Sequence, residues 1–174
     1  MTASPPAPAA LPLVTRSGLL AFGLALGIIV LDQASKYVIL NVVDLPSRGT
    51  IPLLPVLNLT MVWNPGVSFG LLKAGGPAGR LALAAFAGVV VLSLAWWARS
   101  VRRPLAALAL GFVMGGAVGN NLIDRIRFGR VVDFIDVSGI GFFPWVFNVA
   151  DIAINIGVAL LILDSLRSPP RAAT

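Results

Sequence analysis

Two aspartates, Asp133 in Val131-Val132-Asp133-Phe134-Ile135-Asp136 and Asp151 in Phe147-Asn148-Val149-Ala150-Asp151, lie eighteen positions apart in a chain that is otherwise mostly hydrocarbon. Two carboxylates close enough to share a proton cannot both ionise cheaply, so one stays protonated while the other carries the charge. The ionised group can draw a proton from an attacking water while the protonated one polarises a carbonyl. An acid at the start of a membrane helix, with no evident fixed basic partner, is a candidate for such work. Asn148, Asp151 and Asn155 are three and four apart, which predicts one helical stripe pointing into a bundle.

Composition narrows the chemistry to these groups. Among 174 residues there is no histidine and no cysteine, which excludes thiolate nucleophiles, zinc-thiolate sites, the HExxH metalloprotease motif and serine–histidine arrangements. All seven acids are aspartates, so aspartate is the obvious carrier of acid/base chemistry, and neither a metal nor a cofactor is expected. With 57% hydrophobic and 11% charged residues and a mean hydropathy of +0.92, the chain reads as an integral membrane protein. Its net charge of +6 fits loops lying against anionic membrane lipids. Without a basic helix or an aromatic platform, no nucleic-acid partner is expected.

Four apolar segments, about 18–40, 81–98, 105–123 and 147–163, each have roughly the 20 residues needed to cross a bilayer core. Residues 1–15, rich in Pro and Ala, read as a disordered leader. The segment 44–78 contains Pro46, Pro52, Pro55, Pro65 and Pro77, which rules out one continuous helix. Within it, Val56–Trp63 has the β-forming character and length of a short strand. Trp96 and Trp97 read as an interfacial anchor, the Gly115-Gly116 pair as a helix-packing contact, and residues 124–146 as polar and irregular. The predicted fold is an all-α polytopic membrane protein, a single membrane domain of four transmembrane helices with a small extracytoplasmic β-containing cap formed by 44–78 and 124–146. Basic residues divide six against six between the two faces, so charge bias scarcely votes on orientation. The basic turn Arg99, Arg102 and Arg103, with Asp44, Asp124, Asp133 and Asp136 on the other face, favours cytoplasmic termini.

An up-down bundle brings the end of the first span, the start of the second, the end of the third and the start of the fourth to one face. Asp32 and Lys36, Asn64, Asn120, Asn121, Asp124 and Arg125, then Asn148 and Asp151 all fall there. Charged groups at membrane depth face a cavity or a partner, so this convergence predicts a site. Blander readings are open for its parts: Asp32 and Lys36 as a structural ion pair, Asn64-Pro65-Gly66 as a turn, Asp124 as the partner of a nearby arginine, Arg127 and Arg130 as headgroup contacts, Asp136 as a solvated loop acid. A small proton- or cation-coupled transporter is the alternative to an enzyme.

Leu31-Asp32-Gln33-Ala34-Ser35-Lys36, NPGVSFG at 64–70, GNNLIDR at 119–125, VVDFID at 131–136 and FNVADIAINIG at 147–157 occur in order and bracket all four spans. With these stretches the chain resembles the bacterial lipoprotein signal peptidases (signal peptidase II). The Gly-x-Gly-Asp signature of presenilin-like aspartic proteases is absent. The resemblance implies a multi-pass aspartic endopeptidase of the bacterial cytoplasmic (inner) membrane. Such an enzyme removes the signal peptide from prolipoproteins just before a diacylglyceryl-modified cysteine. It implies Asp133 and Asp151 as the catalytic pair, with Asn64, Asn121, Arg125 and Asn148 lining the substrate site and Asp32 and Lys36 supporting it. A site near the outer leaflet, cytoplasmic termini, a monomer and sensitivity to globomycin-like inhibitors go with it. One departure is the doubled Asn120-Asn121, where the family usually has a single asparagine; counting back four from Arg125 selects Asn121, with Asn120 as the alternative.

Overall fold

A computed structural model describes residues 13–65, 77–141 and 146–167. Most of the expected leader (1–12), Gly66–Gly70 of the NPGVSFG run and the polar tail (168–174) lie outside the described residues. The chain runs through α1 (Arg16–Tyr37), a π-helical extension (Val38–Val42), the short α2 (Leu45–Arg48), β1 (Thr50–Leu54), β2 (Leu57–Asn64), α3 (Pro77–Ser100) and α4 (Pro104–Ala117). A second π-helical turn (Val118–Asp124), α5 (Arg125–Phe128), β3 (Val131–Asp136), β4 (Val146–Phe147) and α6 (Val149–Arg167) complete it. Among the described residues four helical stretches are long and apolar enough to cross a membrane: Arg16–Val42, Leu81–Ser100, Pro104–Phe128 and Val149–Arg167. The chain is therefore a multi-pass membrane protein.

Helix α4 is the axis of the bundle. Its spanning window is 61% buried against 11% for that of α3, which leaves α3 mostly to the lipid. Two adjacent glycines explain how α4 serves two neighbours at one level. A Cβ on Gly115 would stand 2.7 Å from Ile28 Cβ and 2.8 Å from the Ala25 carbonyl of α1, while one on Gly116 would collide with the Ala150 carbonyl of α6. Small residues here let three backbones approach closely, the usual means of helix association in lipid. The expected packing role of the Gly115-Gly116 pair is thus met. Trp96 and Trp97 are exposed near the end of α3, as an interfacial anchor requires.

Above the bundle sits an antiparallel sheet in the order β1-β2-β3-β4. The sequence led us to expect one strand over Val56–Trp63, which β2 matches, and no regular structure over 124–146. That second expectation is corrected, because α5, β3 and β4 all fall there. Strand β3 was hard to see because acids interrupt a short apolar run. Successive side chains in a strand alternate faces, so Val132 and Phe134 enter an apolar cluster with Ile39 and Leu45. Asp133 is left on the opposite face. Trp63 meets Phe128 edge-on at 5.8 Å, which fastens the sheet to α5.

Candidate active site

Asp133 lies in β3, beside β2 in a register that pairs Val62 with Asp133 and Asn64 with Val131. Asp151 lies in the first turn of α6. Asn148 joins them. Its Nδ2 donates to Asp133 Oδ1 at 2.6 Å and to the Val132 carbonyl at 3.2 Å, and its Oδ1 accepts from the Asp151 amide at 3.0 Å. In return the Asn148 amide donates to Asp151 Oδ2 at 3.1 Å. This reciprocal arrangement is a capping box, in which the N-cap residue and the residue three further on satisfy one another's amides. The α6 start is thereby ordered by Asp151 and by Asn148, whose side chain also meets Asp133.

Each aspartate takes a further bond from a neutral amide. Asn64 Nδ2 donates to Asp133 Oδ2 at 3.0 Å, and Asn120 Nδ2 donates to Asp151 Oδ1 at 2.8 Å. Burial pushes the Asp133 carboxyl above its ordinary value, and the hydrogen bonds from Asn64 and Asn148 only partly oppose that shift. Among the described residues neither Asp133 nor Asp151 is in an ion pair.

The buried cation of this region is engaged elsewhere. Lys36, 2% exposed, contacts Asp32 Oδ2 at 2.8 Å, Asp124 Oδ2 at 2.7 Å and Asn120 Oδ1 at 2.6 Å. Asp32 Oδ1 accepts from the Ala150 amide at 3.1 Å, another of the amides at the start of α6. Asp124 also accepts from Gln33 Nε2 at 2.9 Å and from the Val132 amide at 3.1 Å. Asp32 and Lys36 are thus an ion pair, as one reading of the spacing had it, and one that fastens α1 to the helix bearing Asp151.

Several expectations are corrected. Asp124 pairs with Lys36 instead of an arginine. Asp136 is no solvated loop acid: it ends β3, 7% exposed, and accepts from Thr60 Oγ1 at 2.6 Å and from the Ser138 amide at 2.9 Å. Hydrogen bonds from Ser138 and then Thr60 hold its carboxyl below the usual range. Asn155 is exposed and donates to the Asp151 carbonyl at 2.9 Å, so only the first two members of the predicted stripe turn inward. Arg127, read as a headgroup contact, is exposed as that reading requires and also donates to Gln33 Oε1 at 3.2 Å.

Of the two asparagines, Asn120 contacts Asp151. Asn121 Oδ1 instead accepts from Arg125 Nε at 3.3 Å, and Arg125 Nη1 reaches the Pro65 carbonyl at 3.2 Å. The two residues form a second cluster at the end of β2. Gln33 is the site residue that sequence reasoning left without a role, while Asn120 and Asp124 take roles other than those first assigned. Asn120 and Asp124 do share the four-residue spacing that places side chains on one helical face.

Two aspartates bridged by Asn148 and held by neutral amides, where the sheet meets four membrane-spanning helices, make the candidate active site of a multi-pass membrane protein. A family profile described as "Signal peptidase (SPase) II" matches residues 24–167, and the chain belongs to that family of membrane peptidases. It is 50% identical over 155 residues to a "Lipoprotein signal peptidase" of Caulobacter vibrioides, covering 89% of this chain and 91% of that one. Similarity to a protein of the same name from Rhodopseudomonas palustris is 42% over 162 residues, 90% of this chain and 96% of the relative. Among solved structures, a bacterial membrane enzyme determined by the in meso method at 2.3 Å superposes with a TM-score of 0.74 at 25% identity, over 95% of this chain and all of that one. Membership of a peptidase family sets aside the transporter reading.

Proposed function

We propose that the chain is an aspartic endopeptidase working within the membrane, which cleaves the signal peptide of prolipoproteins just before the diacylglyceryl-modified cysteine. Asp133 and Asp151 are the catalytic pair in this reading. The observation that carries it is the double engagement of Asn148, whose side chain and backbone reach both carboxylates. One aspartate, ionised, takes a proton from the attacking water; the other, protonated, donates to the scissile carbonyl oxygen, and the two exchange roles as the tetrahedral intermediate collapses. Asn64, Asn120 and Asn148 fix the carboxylates without supplying a charge that would ionise both.

Asp32, Lys36 and Asp124 act as a scaffold behind the pair. Asn121 and Arg125, next to Pro65 at the end of β2, are in position to line the path of the substrate backbone. The substrate is itself a membrane helix with acyl chains and enters sideways from the lipid. The reading includes a monomer in the bacterial inner membrane with cytoplasmic termini, a sheet and aspartate pair toward the outer leaflet, and inhibition by globomycin-like cyclic peptides. It is supported by the family and by the number of carboxylates gathered at one end of the bundle.

The test is cleavage of a lipidated prolipoprotein by purified protein, with and without globomycin. Asp133→Asn and Asp151→Asn are each expected to lose at least ~100-fold in rate, the scale of general acid/base catalysis, while remaining inserted and folded. Normal processing by the Asp133→Asn protein would refute the assignment.

A further inference from the structure

The bundle end opposite the aspartates holds an open cavity of about 550 Å³ lined by Leu13, Thr15, Arg16, Ser17, Arg99, Ser100 and Arg102. It lies about 24 Å from Asp32, taking sixteen residues of α1 at 1.5 Å each. Its walls are pinned by bonds between segments distant in sequence. The Thr15 amide donates to the Arg99 carbonyl at 2.9 Å, the Thr15 hydroxyl to the Val101 carbonyl, and the Ser17 hydroxyl to the Arg102 carbonyl at 3.0 Å. Ser100 Oγ donates to the Trp97 carbonyl at 3.1 Å. With those hydroxyl protons spent on the backbone, the donors left to the cavity are guanidinium groups.

Those guanidinium groups lack anions. Among the described residues none of Arg16, Arg99 and Arg102 is ion-paired, and Asp164, the acid at this end, is bound to Arg103 at 2.8 Å. The other six aspartates all lie toward the sheet end, and residues 1–12 and 168–174 contain no acidic side chain. Arg99 is stacked 3.5 Å over the Trp96 ring, and its Nε is buried without a hydrogen-bond partner. Burying a guanidinium N–H unsatisfied is costly, and a bound oxyanion would meet it. Basic pockets between membrane helices suit phosphate headgroups, and arginine matches phosphate through bidentate hydrogen bonds.

We infer that this cavity is a binding site for a phosphate group that carries net negative charge, at the membrane face opposite the aspartate pair. An acidic phospholipid headgroup and free phosphate offer that chemistry alike. The site does not depend on the proposed peptidase mechanism.

The test is calorimetric titration of the full chain in neutral detergent with short-chain phosphatidylglycerol, short-chain phosphatidylcholine and inorganic phosphate. Phosphatidylglycerol is expected to bind one to one and phosphatidylcholine more weakly. Binding that is confined to phosphatidylglycerol identifies the headgroup as the source; binding of inorganic phosphate as well identifies the free anion as a second. Arg99→Gln with Arg102→Gln is expected to weaken binding more than tenfold, at roughly fivefold for each arginine near a membrane surface. Arg48→Gln with Arg130→Gln, exposed and at the other end, is expected to leave it unchanged. Should the first double variant fail to fold, as judged by thermal unfolding in detergent, Arg16→Gln carries the same comparison. Equal binding of phosphatidylcholine and phosphatidylglycerol, no binding at all, or an equal loss in the Arg48/Arg130 variant would each overturn the site.

Discussion

Replacing Asn120 and Asn121 in turn by leucine separates two adjacent asparagines that the sequence could not rank. Asn120 Nδ2 donates to Asp151 at 2.8 Å and its Oδ1 accepts from Lys36 at 2.6 Å. A hydrogen bond to a charged group contributes about 1.5–3 kcal/mol. If the bond to Asp151 is held through the transition state, its loss lowers kcat/KM by roughly 10- to 150-fold, at 1.36 kcal/mol per tenfold. Lys36 keeps both of its carboxylates, at 2.8 and 2.7 Å, so Asn120→Leu is expected to fold. Asn121 Oδ1 accepts a single bond from Arg125, longer at 3.3 Å and on a half-buried surface where water competes for it, so Asn121→Leu is expected to cost less than about fivefold, or ~1 kcal/mol. The assay is initial-rate cleavage of a lipidated prolipoprotein by each purified variant, with thermal unfolding in detergent as the folding control. A larger loss for Asn121→Leu than for Asn120→Leu, at matched unfolding midpoints, would refute the assignment of Asn120 to the aspartate pair.

Asn64→Ala removes a bond that favours ionised Asp133, so the Asp133 carboxyl, already raised by burial, rises further. The pH–rate profile is then expected to move to higher pH, on its acid limb if Asp133 is the base and on its alkaline limb if it is the acid; a shift to lower pH refutes this. Lys36→Met leaves Asp32 and Asp124 buried without their cation, and removal of one partner from a buried pair costs about 3–5 kcal/mol. An unfolding midpoint in detergent equal to that of the parent would contradict it. Gly116→Ala drives a methyl into the Ala150 carbonyl in the first turn of α6, so the helix carrying Asp151 must shift; a misplacement near 1 Å can cost about 100-fold in rate. Gly27→Ala, which meets nothing within 4 Å, is the matched control and is expected to change neither cleavage rate nor midpoint.

Hydropathy and proline spacing were enough to find four membrane-spanning helices, because a bilayer demands long uninterrupted apolar helices. The cap was read only in part. Leu57–Asn64 has the residues of a strand, whereas Val131–Asp136 carries an acid at its third and sixth positions and is stabilised by contacts no local pattern reveals. The doubled asparagine was ambiguous because four-residue spacing applies to two faces at once. Asn121 and Arg125 share one face toward Pro65, while Asn120 and Asp124 share the next, toward Lys36. Counting back from Arg125 selects the face of Arg125. Counting back from Asp124 would have selected the face of the aspartate pair, but Asp124 had been read as the partner of an arginine.

The position of Lys36 accounts for the proton the proposed mechanism needs. A lysine placed directly between Asp133 and Asp151 would favour ionisation of both and leave no acid to polarise a carbonyl. Here it is paired with Asp32 and Asp124 and joined to Asp151 through the neutral amide of Asn120, and at longer range its pull on Asp133 is outweighed by burial. Asp32 in turn holds the Ala150 amide and Asp124 the Val132 amide, the residues immediately before Asp151 and Asp133 in sequence. The lysine therefore fixes the backbone beneath each member of the pair while contributing no ion pair to either. In the proposed mechanism that separation lets one aspartate keep its proton as the acid while the other serves as base.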